Sequence, residues 1–362
     1  MTTMLAASTG GHLLELHELA QRTAAIGERS LWVTHDNEQS RSLLEGLDCV
    51  FLDPMPQRDV ATVVQAWPEV HRLIDEHRVE RVISTGAAIS LAVIPVALRH
   101  GIQCHYIESA TRVHDIALSG RVLGLMPGVQ RYHQFAATST RYRRRGWQYG
   151  GSVFDGYRAV ATGDPSVRRM VVTVGTQANY GFRRLLDRLV EIIPSGVEVL
   201  WQTGSTDVSG LPIEARPRVG HHELTQAFAD ADAVVAHCGV GSALACFREG
   251  RRPVLVPRRR SQAEHVDDHQ VHLGRYLEGR GLAEIAPDLD ELRWDQIVAT
   301  AGYRIERDPP PAFVLKQSKG LQRLVGAQGR RVLGWGSAEE FRGGPGLGRP
   351  GRGNLGETGP LV

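Results

Sequence analysis

Residues 4–12 read MLAASTGGH, an apolar run that leads directly into a short glycine turn. The run is typical of a buried strand, and the leucine-rich residues 13–25 have the apolar spacing of a helix. Strand, glycine turn and helix in this order form the opening unit of a doubly wound α/β domain. This stretch therefore predicts the fold of the first half of the chain.

The same alternation continues outward from this unit. Buried strands are predicted at residues 4–7, 31–34, 49–52, 82–84 and 104–107. Helices are predicted at residues 13–25, 38–47, 60–77 and 89–100. Because the strands are continuously apolar and are separated by helices, the sheet should be parallel and covered on both faces.

The pattern restarts after the turn signal Gly163-Asp164-Pro165. Strands are predicted at residues 170–174, 198–202, 233–237 and 253–256, and helices at 182–193, 223–229, 242–249, 267–278 and 290–302. The predicted fold is α/β, with two doubly wound Rossmann-like domains that face a cleft. The predicted boundaries are 1–157 for the first domain, 158–168 for a linker, 169–302 for the second domain, 303–334 for a helical segment and 335–362 for a disordered tail rich in Gly, Pro and Arg.

Composition bounds the functional class. The 362 residues are 42% hydrophobic and 23% charged with a net charge of +2, which is ordinary for a globular protein and gives no reason to expect a nucleic-acid partner. None of the four cysteines stands in a CxxC pair, so neither a zinc ribbon nor a disulfide framework is indicated. No apolar run reaches the roughly 20 residues that cross a bilayer, and the first residues lack a signal-peptide pattern. A cytoplasmic protein is expected.

The strongest phosphate-binding signal is residues 237–242, which read HCGVGS between a strand and a helix. Backbone N–H groups at such a helix start, together with a serine hydroxyl, can hold a diphosphate. The loop has no P-loop lysine and is not a G-x-S-x-G elbow, which disfavours a serine hydrolase. Cys238 is interpreted as a small packed residue in preference to a nucleophile.

His12 follows the first glycine turn at the carboxyl end of the sheet, where open α/β folds bind ligands. It is predicted to be a general base or to position an acceptor, and the alternative is an incidental histidine in a helix-capping loop. Two further loops, residues 174–177 and 202–204, should bring small polar side chains to the same cleft.

Residues 264–270 read EHVDDHQ and open a predicted helix on which His265 and His269 would lie one turn apart. That spacing permits a metal site, or a row of donors and acceptors for sugar hydroxyls. The sugar interpretation is favoured because the helix follows the same sheet edge as the phosphate loop, and no metal is expected.

The stretch from Arg121 to Arg145 is basic and partly apolar. Its apolar and aromatic members are Leu123, Leu125, Met126, Tyr132, Phe135 and Tyr142. It is interpreted either as a surface for an anionic membrane or as an ordinary solvated face with a loop.

Together these motifs resemble a known enzyme family. The first half is similar to the acceptor-binding subunit of the eukaryotic two-subunit N-acetylglucosaminyltransferase that acts on dolichol-linked sugar, and to its bacterial exopolysaccharide counterparts. The matching positions are 8–12 with Glu15, 106–109 with Arg112, 118–121 and 149–152. The second half resembles the catalytic, donor-binding subunit and, more distantly, the glycosyltransferase family 28 C-terminal domain of lipid II synthase. Its matching positions are 174–176, 202–204, 231–232, 237 with 239–242, 257–258 and 265–270.

The resemblance implies a fusion of the two subunits with the GT-B fold. It further implies an inverting, metal-independent hexosyltransferase that moves a sugar from a nucleotide-diphosphate donor, preferably a UDP-sugar, to a lipid-linked or other glycosyl acceptor. The setting would be cell-surface polysaccharide or glycolipid synthesis, in the cytoplasm or peripherally on the inner face of the membrane. The nucleotide-sugar is then a substrate, and no cofactor is expected.

The resemblance also assigns roles by position. Donor binding falls to Gly175, Thr176, Gln202, Thr203, Gly204, His221, His222, His237, Gly239, Val240, Gly241, Ser242, Arg258, His265, Asp268, His269 and Gln270. The acceptor side falls to Gly10, Gly11, Ser109 and Arg112. The candidates for the catalytic base are His12, Glu15 and Glu108, with His12 preferred.

One departure from the family pattern concerns the nucleotide. The family places a glutamate that contacts the ribose three residues after the loop serine, where this chain has Ala245. Glu249, one turn later, does not reach the same place. The identity of nucleotide and sugar therefore stays open. So do two alternatives, a nucleotide-sugar epimerase of the same fold and a non-catalytic sugar-nucleotide-binding partner, whereas a metal hydrolase rests only on the histidines near His265.

Overall fold

A computed structural model describes residues 1–316 apart from 25, 27–28, 57–58, 137–141, 143–144, 164, 176–179 and 266. The predictions for Thr176 and for the tail 335–362 lie outside the described residues.

The first half forms a seven-stranded sheet in which every described strand pair is parallel. Its strands are β1 (Thr2–Ala6), β2 (Arg29–His35), β3 (Cys49–Leu52), β4 (Val79–Ser84), β5 (Gln103–Ile107), β6 (Val129–His133) and β7 (Gln148–Tyr149). Its helices are α1 (Gly11–Ala20), α2 (Glu38–Leu43), α3 (Val60–Gln65), α4 (Trp67–Glu76), α5 (Ala88–Arg99) and α6 (Leu118–Leu123). The strand order β3-β2-β1-β4-β5-β6-β7 reverses beside β1, so the turn after β1 opens into the crevice at that switch point. Strand β8 (Tyr157–Ala161) then leaves this sheet.

The second half repeats this topology. Its strands are β9 (Arg169–Thr173), β10 (Glu198–Gln202), β11 (Ala215–Arg216), β12 (Ala233–His237), β13 (Val254–Val256) and β14 (Glu284–Ile285), in the order β11-β10-β9-β12-β13-β14. Its helices are α7 (Arg183–Ile192), α8 (His221–Asp230), α9 (Val240–Arg248), α10 (His269–Gly279) and α11 (Trp294–Ala301). The predicted class, two doubly wound Rossmann-like domains, is confirmed.

Two predicted segments differ from the structure. Residues 303–307 form a strand, β15 (Tyr303–Arg307), antiparallel to β8, so the prediction of a helix from residue 303 is wrong there. The sequence YRIER alternates, Ile305 is buried and the backbone pairs with β8, which is the behaviour of a strand with one covered face. The predicted linker 158–168 likewise contains most of β8.

The predicted helix 60–77 is two helices, α3 and α4, that meet at Ala66. Pro68 stands in the first turn of α4, where a backbone N–H has no hydrogen-bond partner within the helix. The N–H that proline lacks is therefore not needed there. The break therefore follows from the proline.

One apolar cluster runs through both halves. It joins Leu13 and Leu16 of α1 to Val240, Leu244 and Phe247 of α9. All five side chains are buried, and burial of each stabilises the fold by roughly 1.5–3 kcal/mol. The halves thus meet through a common core, and this contact fixes the cleft above it.

After β15 the chain returns to the first half. Phe313 is buried beside Gly150, where a Cβ would come within 2.6 Å of the phenyl ring. The Arg22 side chain donates to the carbonyl oxygens of Ser152 (2.6 Å) and Pro311 (2.9 Å), and its own carbonyl accepts from the Phe313 N–H. The segment 308–316 is therefore anchored on α1 and on the end of the first sheet.

Candidate functional site

The glycine turns of the two halves touch. A Cβ built on Gly11 would lie 3.1 Å from the backbone nitrogen of Gly241, and one built on Gly241 would lie 3.1 Å from the Cα of Gly11. Gly10, with φ of 83°, turns the chain into α1, and Gly239 caps α9. The N-termini of α1 and α9 therefore adjoin, and their free N–H groups and positive dipole ends favour an anion nearby.

His237 supports the loop at the start of α9. Its Nδ1 lies 3.2 Å from the Ser242 hydroxyl oxygen. Gly175 and Gly239 pack on the ring so closely that a Cβ on either would come within 2.6 Å of it. Burial, with a contribution from the positive charge of Arg258, lowers the pKa of His237 to about 3, so the imidazole is neutral. The contact orients the Ser242 hydroxyl.

Arg258 is a buried cation that forms no ion pair with a carboxylate among the described residues. Its side chain is 1% exposed and donates to the carbonyl of Val174 at 2.5 Å, and its Nε has no hydrogen-bond partner among the described residues. Glu264, whose charge acts on Arg258, is itself engaged by Arg184 at 2.8 Å. Burial lowers the pKa of Arg258 to about 10, which leaves it charged at neutral pH. A buried guanidinium in this state is suited to an anionic ligand.

Three residues that were predicted to bind the donor instead shape the loops around this site. The Gln202 side chain donates to the Thr173 hydroxyl (2.8 Å) and accepts from the backbone of Val219 (3.2 Å). Gly204 has φ of 59° and bonds to the Pro217 carbonyl, and Thr203 is buried. These residues connect the end of β10 to the loop that leads into α8.

His221 and His222 begin α8 at the same edge of the sheet. The backbone N–H of His221 donates to Glu38 of the first half at 3.3 Å, whereas His222 is exposed. The backbone predicted to contact the nucleotide base is therefore partly engaged by α2.

The predicted helix from residue 267 begins later, at His269, so the expectation that His265 and His269 share one helix face is wrong. Ala263 adopts the left-handed conformation, and the Asp268 carboxylate accepts from the Arg260 backbone at 2.9 Å. These two features hold residues 263–265 and 267–268 outside the helix. Both histidines nevertheless lie side by side, with ring centroids 4.6 Å apart.

The loop bonds to the first half through Arg112. Its guanidinium lies 2.7 Å from Asp267 Oδ2. The other oxygen of this carboxylate, Oδ1, faces Nδ1 of both His265 and His269. Burial alone would raise the pKa of Asp267, but the two imidazoles and Arg112 outweigh it and hold that pKa well below its ordinary value. The carboxylate is thus charged and joins the acceptor side to the donor side.

Gln270, the next residue, is buried and accepts from the backbone N–H of Arg258 at 3.0 Å. It therefore fixes the strand end that carries Arg258.

His12 opens toward the same cleft in a defined tautomer. Its Nδ1 lies 3.0 Å from the carbonyl oxygen of Thr85, which can only accept, so Nδ1 carries the proton and Nε2 is the acceptor. Burial lowers the pKa of His12, and the charges of Arg112 and His269 lower it further. A neutral imidazole with an unprotonated Nε2 is the form that a general base requires.

Glu15 lies inside the first half. It accepts from the Ser109 hydroxyl (2.9 Å), from the Ala110 backbone (2.8 Å) and from the Gln134 amide. Burial raises its pKa to about 8. These bonds attach residues 109–110 to α1 and engage the carboxylate, so the structure gives Glu15 a supporting position.

Glu108 is similarly buried. It accepts from the backbone of Ala117 (3.1 Å) and from the Tyr106 hydroxyl (3.4 Å), and burial raises its pKa to about 7. It holds the turn that precedes α6. Of the three candidate bases, His12 is the one whose accepting atom has no hydrogen bond to any residue that the structure describes.

The basic stretch divides into buried and exposed parts. Leu123, Tyr132, Phe135 and Tyr142 are buried, which excludes them from a membrane surface. Leu118, Val122 and Leu125 are 61%, 37% and 86% exposed and follow one side of α6 and its extension. Arg121 of the same helix lines a cavity of about 250 Å³, together with His114, Asp115, Ile116, Tyr142 and Arg145. None of the helices in the described part of the chain has both the length and the apolar character that a bilayer crossing requires.

Sequence reasoning missed three residues of this site. Thr85 orients His12, Glu38 reaches α8 from the first half, and Asp267 joins Arg112 to the histidine loop. Thr85 was detectable because it follows a predicted strand at the same sheet edge. Asp267 was visible within the HVDDH motif, but its partners come from outside that motif.

Residues 169–293 match the glycosyltransferase family 28 C-terminal domain. No curated protein matches the chain by sequence.

The crystal structure of MurG from Acinetobacter baumannii is 17% identical, with a TM-score of 0.49, and the match covers 83% of this chain and 93% of that one. The glycotransferase of kitacinnamycin is 14% identical, with a TM-score of 0.52 and coverage of 83% and 89%. A Listeria monocytogenes protein described as a UDP-N-acetylglucosamine 2-epimerase is 12% identical, with a TM-score of 0.53 and coverage of 86% and 92%. The latter two structures share the fold of this chain.

Proposed function

We propose that this chain is an inverting hexosyltransferase that moves a sugar from a nucleotide-diphosphate donor, preferably a UDP-sugar, to a lipid-linked or other glycosyl acceptor. The observation that carries the proposal is the buried Arg258, whose Nε has no hydrogen-bond partner among the described residues and whose charge acts on His237 at the start of the Gly239–Ser242 loop, inside the region that matches a glycosyltransferase domain. The enzyme would serve cell-surface polysaccharide or glycolipid synthesis.

The donor diphosphate would lie at the N-terminus of α9. Backbone N–H groups, the Ser242 hydroxyl and the Arg258 guanidinium supply hydrogen bonds and positive charge there. Because this charge can stabilise the leaving diphosphate, transfer needs no metal ion. His269, the first residue of α10 beside the site, would contact a hydroxyl of the donor sugar.

His12 would take the proton of the acceptor hydroxyl on Nε2. The hydroxyl oxygen attacks the anomeric carbon from the side opposite the diphosphate, a new C–O bond forms, and the bond to the diphosphate oxygen breaks with inversion. Thr85 keeps Nδ1 protonated, so Nε2 is ready to accept. Arg112 on the acceptor side would steer an anionic acceptor toward this position.

A lipid-linked acceptor would be reached from the membrane surface. The exposed side chains of Leu118, Val122 and Leu125 provide an apolar strip, and Arg121 and Arg145 beside it provide positive charge. Apolar side chains flanked by arginines suit the interface of an anionic bilayer. This arrangement supports the proposal of peripheral attachment to the inner face of the membrane.

The first test is calorimetric titration of the chelator-treated protein with UDP, GDP and dTDP. We expect one of them to bind without metal, and Arg258→Met to weaken that binding by about 10- to 100-fold, since a hydrogen bond to a charged group is worth roughly 1.5–3 kcal/mol. Arg260→Met, at an exposed position of the same loop, is the matched control. Failure of all three nucleotides to bind would refute the proposal.

A second assay distinguishes transfer from the alternatives of the same fold. The UDP-sugar is incubated alone and with a polyprenyl-diphosphate-linked sugar, and products are followed by NMR. Release of UDP only in the presence of acceptor supports transfer. An altered sugar in the absence of acceptor indicates an epimerase. Tight binding of the UDP-sugar, with no UDP release and no altered sugar, indicates a non-catalytic partner.

A further inference from the structure

His265, Asp267 and His269 offer three ligand atoms that all lie within 4.8 Å of one another. We infer that these three residues form a binding site for a divalent transition-metal ion such as Zn²⁺, separate from the proposed metal-independent transfer chemistry. In the part of the chain that the structure describes, it is the only such group of three.

The three side chains converge on one point. Nδ1 of His265 lies 3.7 Å from Asp267 Oδ1, and Nδ1 of His269 contacts the same oxygen. The two rings are perpendicular, with centroids 4.6 Å apart. Zinc bonds to imidazole nitrogen and carboxylate oxygen are about 2.0–2.2 Å long, so a modest side-chain adjustment places an ion among the three atoms.

An independent observation concerns His265. Its side chain is 9% exposed, yet its Nδ1 has no hydrogen-bond partner among the described residues, since 3.7 Å exceeds hydrogen-bond length. The ring stacks on Tyr180 at 5.6 Å, which holds Nδ1 toward Asp267. A buried nitrogen without a partner costs free energy, and coordination to a metal removes that cost.

The ligand types select the metal. Two imidazoles and one carboxylate suit Zn²⁺ and its first-row neighbours, whereas Ca²⁺ and Mg²⁺ prefer sites built from oxygen. Arg112 bonds to Asp267 Oδ2 at 2.7 Å, which leaves Oδ1 for the ion and orients the carboxylate. Three protein ligands leave one tetrahedral position for water or another ligand.

The test is direct metal binding to the chelator-treated full chain. Titration with Zn²⁺ by calorimetry and with Co²⁺ by absorption should each show one equivalent bound. The Co²⁺ spectrum should carry visible ligand-field bands without thiolate charge transfer, because the site contains no cysteine. Zn²⁺ should also raise Tm.

Variants locate the ion. His265→Ala and Asp267→Asn should each weaken Zn²⁺ binding at least about 10-fold, because each removes a ligand. His272 lies on α10 like His269 but outside the group of three, so His272→Ala should bind Zn²⁺ as the wild type does. Circular dichroism checks that each variant folds. Absence of binding to the wild type, or binding unchanged in both ligand variants, would overturn the inference. These experiments measure metal binding and not nucleotide binding, so failure of this inference can be told apart from failure of the proposed function.

Discussion

The backbones of Gly11 and Gly241 meet across the two halves, since a Cβ on either residue would lie 3.1 Å from a backbone atom of the other. Gly241→Ala should therefore separate the halves by a few tenths of an ångström, since a backbone cannot turn aside as a flexible side chain does. We expect a loss of roughly 1–3 kcal/mol in unfolding free energy, typical of overpacking, and weaker nucleotide binding. Urea unfolding and calorimetry measure the two effects.

Gly279→Ala is the matched control for this substitution. Gly279 is also helical, but a Cβ there would have nothing within 4 Å. Alanine should be neutral or stabilise by up to about 1 kcal/mol. Equal stability and equal nucleotide affinity of Gly241→Ala and the wild type would contradict the close approach.

His12→Asn tests the base. The asparagine amide can still donate to the Thr85 carbonyl, but it has no counterpart of Nε2. Transfer should fall by about 10²–10⁴ in kcat, the usual contribution of general-base catalysis, while the donor Kd stays unchanged. Loss of nucleotide binding in this variant would instead place His12 on the donor side.

The acid limb of the rate profile gives a second readout of His12. Because burial lowers the pKa of His12 below 6.5, the wild-type rate should hold down to pH values below 6.5 and fall as the imidazole becomes protonated. His12→Asn should lack that limb. An identical limb in the variant would assign the titration to another group.

Glu108 should make stability depend on pH. Its folded pKa of about 7 lies above the ordinary value of 4.5, so between these pH values the folded state binds a proton that the unfolded state has lost. The unfolding free energy should then fall as pH rises through this window, by at most about 1.4 kcal/mol per pH unit. Denaturant unfolding at pH 5, 6, 7 and 8 measures it.

Glu108→Gln should remove this part of the slope, whereas Glu214→Gln, at an exposed position, should not. Burial is the main cause that raises the pKa of Glu15 to about 8, and the charge of Glu108 adds to it, so Glu108→Gln should also lessen the slope that Glu15 contributes. Parallel curves for Glu108→Gln and the wild type would show that Glu108 is ionised without penalty.

Phe313 should hold the returning segment in place. Phe313→Ala leaves a cavity beside Gly150 and should cost about 3–5 kcal/mol in unfolding free energy. Val314→Ala, at a neighbouring side chain that is 61% exposed, should change stability little. Thermal unfolding compares the two, and similar Tm values would mean that the segment does not depend on the phenyl ring.

The fold was predictable because its signals are local. The apolar runs of β1, β9 and β12 and the glycine turns behind them follow from residue type and spacing, and the structure contains them nearly where they were expected. Strand β15 was not predictable, because five residues become a strand only when β8 lies beside them. The boundary between α3 and α4 has a local signal as well, because Pro68 stands in the first turn of α4.

The candidate site was predictable only in part, for a related reason. Gly239 and Ser242 lie on one loop, and their arrangement follows from local chain geometry. The contacts of Gly11 with Gly241 and of Arg112 with Asp267 join positions more than 150 residues apart and depend on how the halves dock. Glu15 accepts hydrogen bonds from Ser109 and Ala110 inside the first half, and its position in a predicted helix gave no sign of these bonds.

The apolar cluster shared by α1 and α9 has a consequence for production of the protein in the cell. Either half made alone would expose the face that the other covers, including Leu16 or Leu244, and such a surface is prone to aggregate. If the halves were separate chains, the cell would have to synthesise them in matched amounts and bring them together promptly. A single chain delivers both in a one-to-one ratio, at a high local concentration and from one round of translation.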